Sequence, residues 1–460
     1  MDVSRRLSNM MQLLAHSRIL SRLRDNPLGL HLMKGALGSL LIQGGFAGLS
    51  FANALVLARL LGPSEYGAYA NAVAWVSVLA VIGAFGFDIL LVRNVASYRA
   101  LHEFAELKGL LHFADRFVLI FSLFLAGAFL AVAGFYVFAQ AEAAIRVALW
   151  WSMPLIPLFA LIYVYGSALR GLEHVIYARL PFMILRPGLS LLVVLGIALV
   201  HPGKLGLPLA MAVSVGATMI ALGVALFWRN KFVPSEVAQA KPSLKIRPWM
   251  KAGLMLVIFG SVQVLFGQIG TIMLGTMGSA ADVGLFSVAS RLAYMLAFSL
   301  VAVEMILAPV VSRLNATGER KTLQVMLTRT VQIAFIVTLL PVLVLTLWGS
   351  HVLEWFGHEY ALGQTPLTIL VVGQLINVAT GSGAVVLFML GDEHIVAVVY
   401  VAVTLLSLVL YAIAIPRYGI VGVAIVSSIG VIVLNLLLSL LTRKRSGLHA
   451  TILGEALRFI

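Results

Sequence analysis

The chain has 460 residues, 61% of them hydrophobic and 11% charged, where a soluble domain is about 45–50% apolar and about 25% charged. A soluble globular protein is excluded, and little chain remains for an aqueous catalytic domain. The absence of cysteine removes disulfides, thiolate nucleophiles and Cys-ligated metals, and the net charge of +14 has meaning only through where its cations fall.

Residues 1–35 form a basic N-terminal segment in which Leu7, Met10, Met11 and Leu14 keep helical spacing among Arg5, Arg6, Arg18, Arg22 and Arg24. Such a stretch is either a helix lying on an anionic membrane face or an unfolded basic leader. Asn26-Pro27 ends any helix there. Twelve apolar segments follow, at 36–61, 68–92, 113–138, 147–169, 180–200, 205–228, 252–277, 284–308, 331–348, 366–390, 396–415 and 419–441. About 20 residues cross a bilayer as a helix, so each is long enough, and none alternates like a barrel strand. The expected fold is an all-α integral membrane protein of about 12 transmembrane helices. Pro154, Pro157, Pro181, Pro187 and Pro341 fall inside these segments, where a membrane helix kinks or opens toward a cavity.

The loops between the spans separate into two sets. One set, with both termini, holds 27 of the 32 Lys and Arg residues; the other has only Arg59, Arg146, Lys204 and Arg417, and Arg291 lies inside a span. The positive-inside rule places the first set and both termini in the cytoplasm. The basic charge is thus a topology signal, and no aromatic-basic motif points to nucleic acid.

The turn between the first two spans has a second copy. At an offset of 217, Glu65-Tyr66-Gly67-Ala68-Tyr69 falls on Asp282-Val283-Gly284-Leu285-Phe286, each a short turn whose glycine permits close helix approach. Six spans separate the copies, so the two halves share one orientation and are related by an axis along the membrane normal. The expected organisation is an N-terminal six-helix bundle at 36–228, a cytoplasmic linker at 229–251, a C-terminal six-helix bundle at 252–441 and a cytoplasmic tail at 442–460.

Leu57-Ala58-Arg59-Leu60-Leu61-Gly62-Pro63, then Glu65-Tyr66-Gly67, a span, and Leu91-Val92-Arg93-Asn94-Val95-Ala96 resemble the start of polysaccharide flippases of the O-antigen and exopolysaccharide type. Gly284-Leu285-Phe286-Ser287-Val288-Ala289-Ser290-Arg291-Leu292 resembles that family's span eight. The family belongs to the multidrug/oligosaccharidyl-lipid/polysaccharide exporter superfamily. The resemblance implies two bundles around a central cavity, alternating access, and a bacterial inner-membrane location. It also implies passage of an undecaprenyl-diphosphate-linked oligosaccharide between leaflets, with polysaccharide assembly proteins as further partners and no cofactor.

Asp88, Arg186, Arg291 and Glu304 interrupt apolar spans, and each costs at least about 2.5–3.5 kcal/mol at mid-bilayer if it faces lipid. Arg291 lies about 10 Å below Gly284; it either binds an anionic head group on the cavity wall or forms a buried pair with a carboxylate. Arg186, about 9 Å from a helix start at Leu180, either snorkels to the cytoplasmic interface or is a second substrate-binding candidate beside Pro187. Asp88 and Glu304 fall at nearly equivalent places in the halves, where a carboxylate either couples transport to protons or sodium or pairs with a cation such as Arg93 to gate the cytoplasmic side. Gln43, Asn53, Gln263, Gln268, Gln374 and Asn377 offer either sugar hydrogen bonds or interhelical glue. The competing functions are a drug/cation antiporter of the same superfamily, which needs an acidic cavity, and a membrane glycosyltransferase or polymerase, which needs a longer water-facing loop than Gly349 to Thr365.

Overall fold

A computed structural model describes residues 27–136, 142–201, 203 and 205–454; most of the basic segment 1–35 lies outside the described residues. The described chain is helical, without strands. The N-terminal half comprises α1 (Pro27–Gly83), α2 (Phe87–Ala100), α3 (Phe104–Tyr136), α4 (Ala143–Ser152), α5 (Leu155–Gly171), α6 (Val175–Leu180), α7 (Arg186–Val200) and α8 (Leu207–Phe232). A short α9 (Ser235–Gln239) precedes α10 (Ile246–Met277), α11 (Ala280–Leu296), α12 (Phe298–Ala316), α13 (Arg320–Glu354), α14 (Gln364–Thr380), α15 (Gly383–Met389) and α16 (Glu393–Ser446).

Eight of these helices are long and apolar enough to cross a bilayer, or ten if each of two bent pairs is one span. Two of the eight are each two arms joined at a glycine. At 1.5 Å per residue the 57 residues of α1 would stretch about 85 Å, far more than a bilayer. Gly62 breaks it with φ 72° and ψ 175°, a region open essentially to glycine alone, and Pro63 is preset to start the next arm. Residues on either side of Gly62, Leu57 with Tyr66 and Asn53 with Tyr69, line one pocket, so the arms run antiparallel. Helix α16 reverses at Gly419 (φ 53°). There the Tyr411 and Ser427 hydroxyls meet at 2.8 Å, and Val399, Val403, Leu434 and Leu438 share one cluster. Counting these arms separately allows up to twelve, the number of apolar segments in the sequence.

The remaining breaks have local causes. Pro154 separates α4 from α5, which are bent by 44°. Pro181 and Pro187 flank a π turn, Pro181–Leu185, in which the Arg186 N–H reaches back to the Pro181 carbonyl; a prolyl nitrogen cannot donate, and a π bulge is one way to absorb that loss. The break at Ala297 between α11 and α12 occurs without glycine or proline.

The repeated turns touch. A Cβ on Gly67 would collide with the Ala280 carbonyl, and a Cβ on Gly284 with the Pro63 carbonyl. Pro63 and Ala280 stand 217 residues apart, as do Gly67 and Gly284, so each contact is the other with the repeats exchanged. That reciprocity is the mark of a two-fold relation, and it places both turns at one end of the molecule. Around them a shared cluster gathers residues of both halves, including Leu57, Tyr66, Val283, Phe356 and Tyr411. At the opposite end the halves have separate clusters, one around Leu91, Leu110 and Leu172 and one around Val311, Leu323 and Leu327. Residues 229–251 pack on the N-terminal half: the Ser243 N–H donates to the Ala105 carbonyl, Lys108 Nζ reaches the Ala238 and Ala240 carbonyls, and buried Trp249 donates to the Tyr98 hydroxyl.

That end also carries a clasped ion pair. Arg229, its side chain 9% exposed, grips both Asp115 oxygens at 2.6 and 2.7 Å with its guanidinium 4.3 Å from the Tyr165 ring. Asp115→Ala leaves that cation without its counter-charge; breaking buried pairs costs about 3–5 kcal/mol, less here because Asp115 is partly exposed. A drop of several degrees in thermal midpoint in detergent is expected, with Asp115→Glu intermediate; an unchanged midpoint would refute the role.

Candidate functional site

The centre of the molecule holds a cavity of about 720 Å³ walled by α1, α10, α11, α12 and α16, with a side pocket of about 70 Å³ beneath α7. Arg291 lines both, and Arg186 lines the side pocket. Sequence reasoning set both cations too shallow. Helix α11 begins at Ala280, fixed by a capping box in which Ser279 Oγ accepts from the Asp282 N–H at 3.0 Å and the Asp282 carboxylate faces the Ser279 N–H. Arg291 is therefore eleven residues deep, about 16 Å. Helix α6 begins at Val175, so Arg186 is also about 16 Å from its own end. The two cations, carried in from opposite ends, both line the side pocket.

Arg291 Nη1 donates to the Ser50 carbonyl at 2.8 Å and to Ser50 Oγ at 2.7 Å, which joins α11 to α1 across the two halves. Arg186 lies 4.6 Å from the Phe182 ring centroid and 4.9 Å from that of Phe159, a cation–π shelf, and its Nε is buried without a hydrogen-bond partner. The alternative expected for Arg291, a structural pair with a carboxylate, has no counterpart here: among the described residues neither arginine has an acid within ion-pair distance, and neither cavity lining includes Asp or Glu. Two guanidiniums converging on polar space can grip an anion with oxygen acceptors.

Asp88 and Glu304 stand apart from this pair. Asp88 sits in the first turn of α2, and the cation beside it is Arg170, not Arg93: Arg170 Nη2 and Ser167 Oγ donate to its backbone carbonyl at 3.2 and 2.5 Å. Glu304 is on α12, beside Ser382 in the break between α14 and α15. Neither acid lines the cavity.

The amides divide. Gln43 and Gln268 line the cavity, and Asn53 accepts from Ser190 Oγ at 3.3 Å in the side pocket. Gln374, Asn377 and Asn435 bond one another at 2.8–2.9 Å across α14 and α16, which is interhelical glue. Sequence reasoning missed Tyr66, Tyr69, Tyr294, Tyr411 and the serines 287, 290 and 427, all on the cavity wall; their helical spacing was visible, but not which face turned inward. At the Gly62 end the cavity is capped by Tyr66, Phe51, Phe356 and Tyr360, with ring centroids 5.5–6.4 Å apart.

A Cβ at Gly48 or Gly267 would meet nothing within 4 Å, although both line the cavity. Gly267→Phe is therefore expected to fill the cavity without disturbing the helices, removing activity while the thermal midpoint holds within a few degrees. Full activity in this variant would show that the cavity is not the path.

The family profile described as "Polysaccharide biosynthesis protein" matches residues 32–315. A Shigella flexneri protein described as "Putative O-antigen transporter" is 26% identical over 408 residues, covering 85% of this chain and 93% of that protein. Among solved structures, an inward-facing multidrug resistance MATE family transporter of the MOP superfamily superposes with a TM-score of 0.71 at 18% identity, covering 86% of this chain and 93% of its own. The lipid II flippase MurJ in its inward closed conformation superposes with a TM-score of 0.69 at 14% identity, covering 88% and 87%. At those identities the structural likeness speaks for the fold. The match over more than half its length places the chain in the polysaccharide biosynthesis protein family, with a fold like that of these two solved transporters.

Proposed function

We propose that this protein is a flippase, not an enzyme, which moves an undecaprenyl-diphosphate-linked oligosaccharide across the bacterial inner membrane by alternating access. The observation that carries the reading is the charge of the cavity and its side pocket: two guanidiniums and no acidic residue on the described linings. A diphosphate offers several acceptor oxygens to such a pair. A drug/cation antiporter would place its cation against Arg291 with no carboxylate to receive it. The basic end is cytoplasmic, with both termini, the linker 229–251 and the tail 442–460, and the bundles 36–228 and 252–441 are the units that rock. Asp88 and Glu304 are the candidate carriers of a coupling proton or sodium ion, acting away from the substrate.

The test is a strain lacking this gene. Lipid-linked glycan should accumulate facing the cytoplasm, and restoring the chain should return it to the outer leaflet; accumulation without any leaflet asymmetry refutes the reading. Orientation is checked with Lys241→Cys at an exposed linker position. In this cysteine-free chain the new thiol should resist an impermeant reagent applied to intact cells and react in inverted vesicles.

A further inference from the structure

We propose that the cavity wall formed by α11 and α16 is a sugar subsite, which recognises the hydroxyls of the pyranose attached to the diphosphate; the inference rests on the flippase reading above. Ser290 is 7% exposed, lines the cavity, and its Oγ is buried with no hydrogen-bond partner. The Oγ of Ser287, one turn away on the same wall, is buried and unpartnered too. Buried hydroxyls in folded proteins are nearly always bonded, so two idle ones on one cavity wall call for an explanation. A hydroxyl donates one hydrogen bond and accepts others, as a sugar hydroxyl does, and it has no charge with which to select an ion.

The rest of the wall fits the same ligand. Across from these serines, the Tyr411 and Ser427 hydroxyls form a 2.8 Å pair that also lines the cavity. Tyr294 is 46% exposed although it lies well inside α11, because its surface opens onto the cavity; an aromatic ring gives an apolar platform for the C–H face of a pyranose. Register ties the wall to the head group. Ser287, Ser290 and Tyr294 follow one another at spacings of three and four along one face of α11, and Arg291 lies one turn from both Ser287 and Tyr294. A sugar joined to a diphosphate held by Arg291 is one covalent bond away from that group, so the first residue of the glycan falls against these side chains. Arg186, in the side pocket, takes no part in reading the sugar.

Two probes separate this inference from the reading beneath it: synthetic undecaprenyl diphosphate, and the undecaprenyl-diphosphate-linked oligosaccharide pool extracted from the source cells. Binding of each to the full-length protein in nanodiscs is compared for the wild type, Arg291→Ala, Tyr294→Ala and the double variant Ser287→Ala/Ser290→Ala, which removes only two oxygens and keeps the helix. Tyr294→Ala and the double variant are expected to bind the glycosylated pool about tenfold more weakly and undecaprenyl diphosphate as the wild type does. Arg291→Ala is expected to weaken both. Equal loss for the two probes, or none for either, overturns the sugar subsite and leaves the flippase reading standing, as does a wild type that gains nothing from the sugar. A wild type that binds neither probe overturns both.

Discussion

Replacing Arg291 by Ala is expected to abolish export while the protein accumulates and stays monodisperse. A charge-assisted hydrogen bond is worth about 1.5–3 kcal/mol, so losing one from a poorly hydrated cavity weakens binding roughly ten- to a hundred-fold. The Ser50 bonds at 2.7 and 2.8 Å use one guanidinium nitrogen and hold the group in place, which makes Arg291→Lys informative. A lysine keeps the charge without the planar fork and is expected to retain a minor fraction of activity. Complementation by Arg291→Ala at normal expression would end the cavity role. Rescue of a degraded Arg291→Ala protein by loss of a carboxylate elsewhere would revive the ion-pair alternative.

The second large effect is expected at the reciprocal turn contact. At Gly67 and Gly284 the obstacle to a side chain is a helix carbonyl, which cannot swing aside as a flexible side chain does. Gly67→Val should therefore hold the Gly62 end apart. With Gly48→Cys as a reporter on the cavity wall, an impermeant thiol reagent applied outside should label several-fold faster than in the Gly67 parent, and export should stop. Because the contact is two-fold related, Gly284→Val should behave alike. Unchanged labelling in both variants would mean that these glycines only pack and do not gate.

The reversals were legible because they are written in local chemistry: Gly62-Pro63 can break a helix and start one, and Pro181 with Pro187 cannot both sit in a regular ladder. The repeat was legible as a five-residue pattern, and its two acids proved to be helix caps, Asp282 on α11 and Glu65 on the Leu207 N–H that opens α8. Depth was not legible. An apolar run marks the hydrophobic stretch, while the helix extends past it, which puts Arg186 and Arg291 each eleven residues from the start of its helical stretch. Partners were not legible either: Arg93 is close to Asp88 in sequence, but Arg170, from another helix, is close in space. The bend at Ala297 has no breaker residue to announce it and follows from how the halves pack.

The equal depth of the two arginines bears on the membrane voltage. On the proposed reading, the empty cavity and its side pocket carry two positive charges within the field of the membrane, whereas a bound diphosphate brings them close to neutral. A full crossing costs about 2.3 kcal/mol per charge per 100 mV, so if rocking shifts both guanidiniums by a tenth of the field, the two states separate by about 0.5 kcal/mol. On the proposed orientation, with the cytoplasm negative, that bias favours whichever unloaded state brings the guanidiniums nearer the cytoplasm, and leaves the diphosphate-loaded step nearly indifferent to voltage. Fast charge displacement should then appear in substrate-free proteoliposomes and shrink as undecaprenyl diphosphate is added.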